Sequence, residues 1–259
     1  DARLYSAPIA YNWRAFGGTR FRYGNTPEGS LATTRLLAGV EWRGPPAVIR
    51  AGGSADFEGV NRAGAFVTSV WRISDRWGIE ASGDLTAPDT PLRALRNGIW
   101  ADGATLGIAW RHSDLREAGA SLRGLSFSDG NERWIGFARY QERVLNLPDW
   151  KLDLQPYVYA TRNSRENVPY FNPSRDLELG VTGTLTWIVH QRYDRALRAR
   201  FALTGGAYEQ EDFGWSPVLA IRWQNDHDLS DTLAVTYGAG WTRRDYDGVT
   251  EDGFSAIGA

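Results

Sequence analysis

The sequence contains no cysteine and no methionine. Disulfide frameworks, thiol nucleophiles and thiolate metal ligands are therefore excluded. Three histidines, His112, His190 and His227, are too few and too scattered for an imidazole metal site. Excess basic charge is missing too: 29 Lys and Arg stand against 31 Asp and Glu, a net of -2. Nucleic-acid binders carry a basic footprint that displaces counterions from phosphates, so no nucleic-acid partner is expected. No stretch approaches the roughly 20 consecutive apolar residues that a membrane-spanning helix needs. Gly-x-Gly-x-x-Gly, the Walker loop, His-Glu-x-x-His and the calcium-loop pattern do not occur, so no cofactor and no metal are expected. Lysine is almost absent: Lys151 stands alone, and arginine carries the basic charge.

What the chain does have is rings and glycine: 12 Trp, 11 Tyr, 10 Phe and 29 Gly in 259 residues, with a mean hydropathy of -0.42. Alternation with period two reconciles abundant aromatics with a hydrophilic average. Residues 32–43 place Leu36, Ala38, Val40 and Trp42 on one face and Arg35, Glu41 and Arg43 on the other. The same separation holds at 76–85, at 151–160 and at 177–189, where Leu179, Val181, Leu185 and Trp187 oppose Glu178, Thr182, Thr184 and Thr186. Segments 62–73 and 131–143 are less regular, because Phe66, Val70, Ile135 and Phe137 fall on the polar face. The pattern predicts an all-β chain, a transmembrane antiparallel up-and-down β-barrel of fourteen strands. They begin near residues 10, 32, 47, 61, 76, 102, 116, 131, 149, 176, 195, 215, 231 and 253. A soluble all-β domain with its apolar face inward would show the same period.

Connections alternate in length. Short ones fall at Gly44-Pro45-Pro46, Ser74-Asp75-Arg76, Ser113-Asp114-Leu115 and Tyr193-Asp194-Arg195, and longer ones at 24–31, 87–98, 163–175 and 245–252. Outer-membrane barrels have short periplasmic turns and longer outer loops, and an even strand number would return both chain ends to the periplasmic side. Aromatics sort accordingly: Trp13, Trp42, Trp71, Trp77, Trp110, Tyr140, Trp150 and Trp223 lie towards short turns, and Tyr23, Phe57, Trp215, Tyr246 and Phe254 towards long loops. They read as two interfacial girdles.

Catalytic constellations are not apparent. His112-Ser113-Asp114 are adjacent in sequence, and neighbours on a strand point to opposite faces, so they form no relay. Asp226-His227-Asp228 resembles the Asp/His pairs of barrel proteases but falls at a predicted short turn instead of the outer rim. An enzyme is not expected. The remaining chemistry is the polar face, which carries Arg14, Arg20, Arg22, Arg35, Arg50, Arg123, Arg198, Arg200 and Arg222 among carboxylates and tyrosines. Opposite charges bracing the wall account for any single member of this set. Together, carboxylates and the rings of Tyr157, Tyr159 and Tyr208 suit a saccharide conduit, since rings stack on pyranose faces and carboxylates attract free amines.

Tyr170-Phe171-Asn172-Pro173-Ser174-Arg175-Asp176 and, more weakly, Asn12-Trp13-Arg14 resemble the C-terminal barrel of outer-membrane exporters of poly-β-1,6-N-acetyl-D-glucosamine, a biofilm adhesin. The similarity runs through most of the chain. It implies sixteen strands, two more than the pattern gives, and residues 1–259 as a single barrel domain. It also implies an upstream periplasmic tetratricopeptide-repeat region that binds a polysaccharide deacetylase. The final segment lacks a terminal aromatic, so a few further residues are expected after Ala259. The implied partners are the lipid bilayer and a partly de-N-acetylated, cationic polymer. Acidic lumen positions would favour its passage, and parity alone nominates Glu41, Asp56, Glu80, Asp84, Asp153 and Glu178. Cellulose or another exopolysaccharide, or general diffusion, are the alternative cargoes. At 5 Å in water two unit charges interact by less than about 1 kcal/mol, so many weak contacts guide a chain without trapping it.

Overall fold

The computed structural model describes residues 2–26, 29–57, 61–192, 195–230 and 233–258. Fifteen strands follow one another, β1 (Ala2–Tyr5), β2 (Trp13–Thr26), β3 (Gly29–Gly44), β4 (Ala47–Phe57), β5 (Arg62–Arg72), β6 (Trp77–Asp84), β7 (Ala101–Ser113), β8 (Arg116–Phe127), β9 (Glu132–Asn146), β10 (Trp150–Asn163), β11 (Arg175–Arg192), β12 (Arg195–Gln210), β13 (Gly214–Ser230), β14 (Leu233–Tyr246) and β15 (Val249–Gly258). One short helix, α1 (Leu92–Arg96), interrupts the β6–β7 connection. Every strand is hydrogen-bonded to its sequence neighbours, an up-and-down meander. The chain forms two compact units, one of Asp1–Trp110, Ala120–Gly136 and Thr161–Ser174, the other of Arg111–Gly119, Phe137–Ala160 and Arg175–Ala259.

The alternation seen in the sequence is realised in the register. Arg14, Glu41 and Arg50 stand opposite one another across β2, β3 and β4, as do Trp13, Trp42 and Ile49 on the other face. The apolar face is bare: Val67, Leu106, Ile108, Val181, Phe201, Leu203 and Ile221 are all exposed. A water-soluble domain would have to cover a surface of this kind. Rings lie along it near the short turns, where Trp77 meets Trp110 at 6.4 Å and Trp150 stacks on Trp187 at 5.2 Å, and towards the longer connections, where Tyr23, Phe57, Trp215 and Phe254 are exposed. Tyr246 does not belong to this set. It lies on the charged face, 6.5 Å from Tyr208 and under the Arg244 guanidinium.

Three expectations need correction. Strands number fifteen among the described residues, neither fourteen nor sixteen; the added one is β1, whose four residues pair with Phe16–Thr19 and are too short to show alternation. With an odd count among the described residues, the even-number argument that placed both chain ends at the short turns loses its premise. Two of the four long loops are largely strand. β14 and β15 are joined by Asp247 and Gly248 alone, both at positive φ, +51° and +74°. This is the Asp-Gly hairpin whose twist suits antiparallel strands. Likewise β2 continues to Thr26 and β3 starts at Gly29; residues 27 and 28, like the turn residues Tyr193 and Asp194, lie outside the described residues.

The apolar residues that break parity have partners. Gly39 and Gly52 face each other across β3 and β4, and a side chain on either would collide with the opposite backbone. Phe16 and Phe66 lay their rings over this glycine pair, 6.1 Å apart, which restores the packing that glycine forgoes. Phe137 rests 6.4 Å from Tyr157, and Ile135 packs against a cluster of Ala87, Ala94, Ala101, Leu125, Phe127 and Tyr170. That cluster is a small core supplied largely by the two long connections. Val70 stays exposed on the charged face.

Candidate functional site

The charged face is organised as cross-strand ion pairs. Glu41 is fully buried and receives Arg14 Nε at 2.5 Å, Arg43 Nε at 2.5 Å and Arg50 Nε at 2.6 Å. Arg35 grips Asp56 with two parallel hydrogen bonds of 2.5 and 2.7 Å. In the other unit Arg143 holds Asp153 at 2.9 and 3.2 Å. Tyr157 Oη donates to Glu178 Oε1 at 2.6 Å, and Arg244 pairs with the same carboxylate. Tyr208 is buried below, its Oη donating to Asp176 at 3.1 Å. Such bidentate geometry in a half-dry setting is strong and directional, which rigidifies a wall.

The second feature is the connection at residues 85–100, folded against the charged face of its own unit. Arg22 Nη1 donates to the Pro88 carbonyl at 2.8 Å and to the Thr90 carbonyl at 2.9 Å. Arg35 Nη2 reaches the Thr86 carbonyl at 2.5 Å, and Asp102 accepts from Thr86 N at 2.8 Å. These bonds hold Thr86 at φ +61°, a conformation a β-branched residue rarely adopts. Arg123 clamps Asp89 at 2.6 and 2.8 Å while touching Asp84 at 3.2 Å. Arg96 donates to the Gly29 carbonyl at 2.7 Å, and the Arg62 guanidinium lies 3.8 Å over the Trp100 ring.

The connection at residues 164–174 is fixed in the same unit by an amide network. Asn131, fully buried, donates to Asn172 Oδ1 at 2.9 Å and to Tyr170 Oη at 3.2 Å. Arg133 donates to Asn163 at 2.7 Å, to Asn172 at 2.9 Å and to the Phe171 carbonyl at 2.8 Å. Tyr170 stacks on Phe127 at 5.1 Å and donates to Asp129 at 3.1 Å. Burial, helped by the Asp129 carboxylate and opposed by the Asn131 amide, pushes its phenol up to about 12. The Tyr-Phe-Asn-Pro segment is thus the keystone of this loop. Parity could not reveal the role, because it is made by loop side chains that meet only after folding.

Of the nine nominated residues, five carboxylates are engaged by arginine: Glu41, Asp56, Asp84, Asp153 and Glu178. Tyr157 and Tyr208 are tied to carboxylates, and Tyr159 is half-buried. Glu80 differs. It is exposed opposite Gly107 and Val70, with no hydrogen bond or ion pair among the described residues. Asp226 and Asp228, which the sequence did not support as part of a relay, are paired with Arg200 at 2.9 Å and Arg198 at 2.8 Å. Missed in the sequence were Asp89, Asn131 and Arg133, which act through the loops; Asn172 entered only as part of the segment that carries the resemblance.

Comparison with known proteins gives three findings. The model of the PgaA membrane beta barrel domain matches residues 1–257. Two proteins named poly-beta-1,6-N-acetyl-D-glucosamine export protein, from Escherichia coli K12 and from Escherichia coli O157:H7, are each 27% identical over 249 residues, 96% of this chain and 31% of theirs. The chain thus spans about a third of the length of the curated relatives it matches. A solved structure described as a bacterial polysaccharide outer membrane secretin aligns with a TM-score of 0.90 at 25% identity, covering 98% of this chain and 86% of that one.

Proposed function

The chain belongs to the family of PgaA membrane beta barrel domains, and from that premise we propose that it is the outer-membrane pore of an exporter for partly de-N-acetylated poly-β-1,6-N-acetyl-D-glucosamine. The observation that carries the reading is the state of the charged face: its acids are neutralised in place by arginines, and Glu80 alone of the nominated carboxylates stands open. A wall of paired charges is wet without being sticky. An exposed carboxylate gives each passing ammonium a contact of less than about 1 kcal/mol in water, enough to favour a cationic chain and too little to arrest it. No chemical step is needed. The relatives' greater length leaves room for an upstream repeat region that receives polymer from a periplasmic deacetylase.

General diffusion is the second reading, and the arginine-pinned loop 85–100 favours it, because a constricting loop on the polar face is what a diffusion pore requires. Surface polymer distinguishes the two. In cells whose own exporter is deleted, the full-length protein carrying Glu80→Gln is expected to lower surface polymer at equal barrel abundance. Unchanged surface polymer at equal abundance would remove Glu80 from the polymer path.

A further inference from the structure

The apolar face of the first unit is not uniformly convex. Between β5, β6, β7, β8 and β9 it sinks into an open groove of about 640 Å³. Its floor is a row of small residues: Gly83 stands opposite Ala104 in the ladder, with Ala65 and Gly124 beside them. Its walls are Val67, Leu85 and Trp134, all exposed, and the Trp134 ring lies against Gly124. Polar side chains gather at one end, where Asp102, Ser126 and Glu132 lie near the long connections. The rest of the lining is apolar except for Asp84, whose carboxylate is held by Arg123.

We propose that this groove seats an acyl chain of a membrane lipid. Ala65, Val67, Gly83 and Ala104 share the face of Leu106 and Ile108, so the groove is continuous with the wall that meets hydrocarbon. Water gains nothing by entering a recess with so few polar partners. Left empty, the recess forfeits dispersion contacts on Val67, Leu85 and Trp134. A flexible hydrocarbon chain restores them, and the carboxylates at one end mark where the hydrocarbon must stop. A second copy of this chain is the competing occupant.

Glycine at position 83 makes the idea testable. A Cβ there would meet only Val67 Cγ1 at 3.8 Å and the Gly103 carbonyl at 3.9 Å, both ordinary contacts, so Gly83→Leu can be rooted at this position and extend into the open recess. The full-length protein is reconstituted into vesicles of phosphatidylethanolamine and phosphatidylglycerol, extracted in mild detergent and weighed by native mass spectrometry. The unaltered protein is expected to retain a lipid adduct. Gly83→Leu, and independently Ala104→Leu, lower the adduct fraction roughly tenfold, the effect of losing contact with about two methylenes. Ala81→Leu, on the same face outside the groove, leaves it unchanged. A heat-dependent gel shift verifies folding of each variant. Absence of an adduct on the unaltered protein, equal adducts on the filled variants, or a dimer abolished by filling would each overturn the assignment.

Discussion

Replacing Arg22 by alanine tests whether loop 85–100 governs passage. The guanidinium donates to two carbonyls of the loop, at 2.8 and 2.9 Å. A hydrogen bond from a charged donor contributes about 1.5 kcal/mol at the low end, so removing two weakens docking by about 3 kcal/mol. At 1.4 kcal/mol per factor of ten, the ratio of released to docked loop rises by roughly two orders of magnitude. The strand ladder is not touched, because Arg22 lies opposite Thr33 and its side chain leaves the wall for the loop. Single-channel recording in a planar bilayer is the assay. The unaltered barrel is expected to show a low, quiet conductance, and Arg22→Ala longer and larger openings at the same heat-dependent gel shift. Identical traces from the two proteins would refute the idea that the pinned loop restricts the pore.

Other perturbations separate bracing from passage. Glu41→Gln leaves Arg14, Arg43 and Arg50 around an uncharged group and, at about 3–5 kcal/mol for breaking a buried pair, lowers the temperature at which the gel-shifted form is lost. Glu80→Gln leaves that temperature within error, since its carboxylate holds no partner among the described residues, and weakens block by aminated sugars. Tyr170→Phe removes the phenol hydrogen bonds at about 1 kcal/mol, whereas Tyr170→Ala also empties the Phe127 contact and costs about 3–5 kcal/mol of loop docking. The Tyr170 phenol sits above its ordinary value, so its contribution is complete below about pH 10 and disappears as pH rises through about 12; channel openings should lengthen over that interval and not in Tyr170→Phe.

Alternation made most of the fold legible. Where one face carries charge and the other meets an apolar medium, each strand writes its own orientation, as β3 does with Glu41 and Trp42. Strand β1 escaped because four residues hold too little alternation, and the β14–β15 hairpin because Asp247-Gly248 lies inside the segment 245–252, whose polarity suggests a long loop instead of a two-residue turn. Phe66 and Ile135 broke parity for reasons that reside elsewhere in the chain, in Gly52 and in the loop core. The candidate site was half legible. Parity placed the carboxylates on the right face, yet it could not say that arginines nine to twenty-seven residues away would engage Glu41, or that others would serve the loops. Ion pairing and loop docking are tertiary facts, and one-dimensional periodicity is silent about both.

The central claim is that this pore conducts an amine-bearing polysaccharide. Its most direct test is single-channel conductance of the refolded barrel with partly deacetylated β-1,6-glucosamine oligomers added, and neutral β-1,4-glucose oligomers as the control. Transient current blockade by the aminated oligomers alone is the predicted result; a steady current indifferent to both sugars would contradict the claim and leave a diffusion pore.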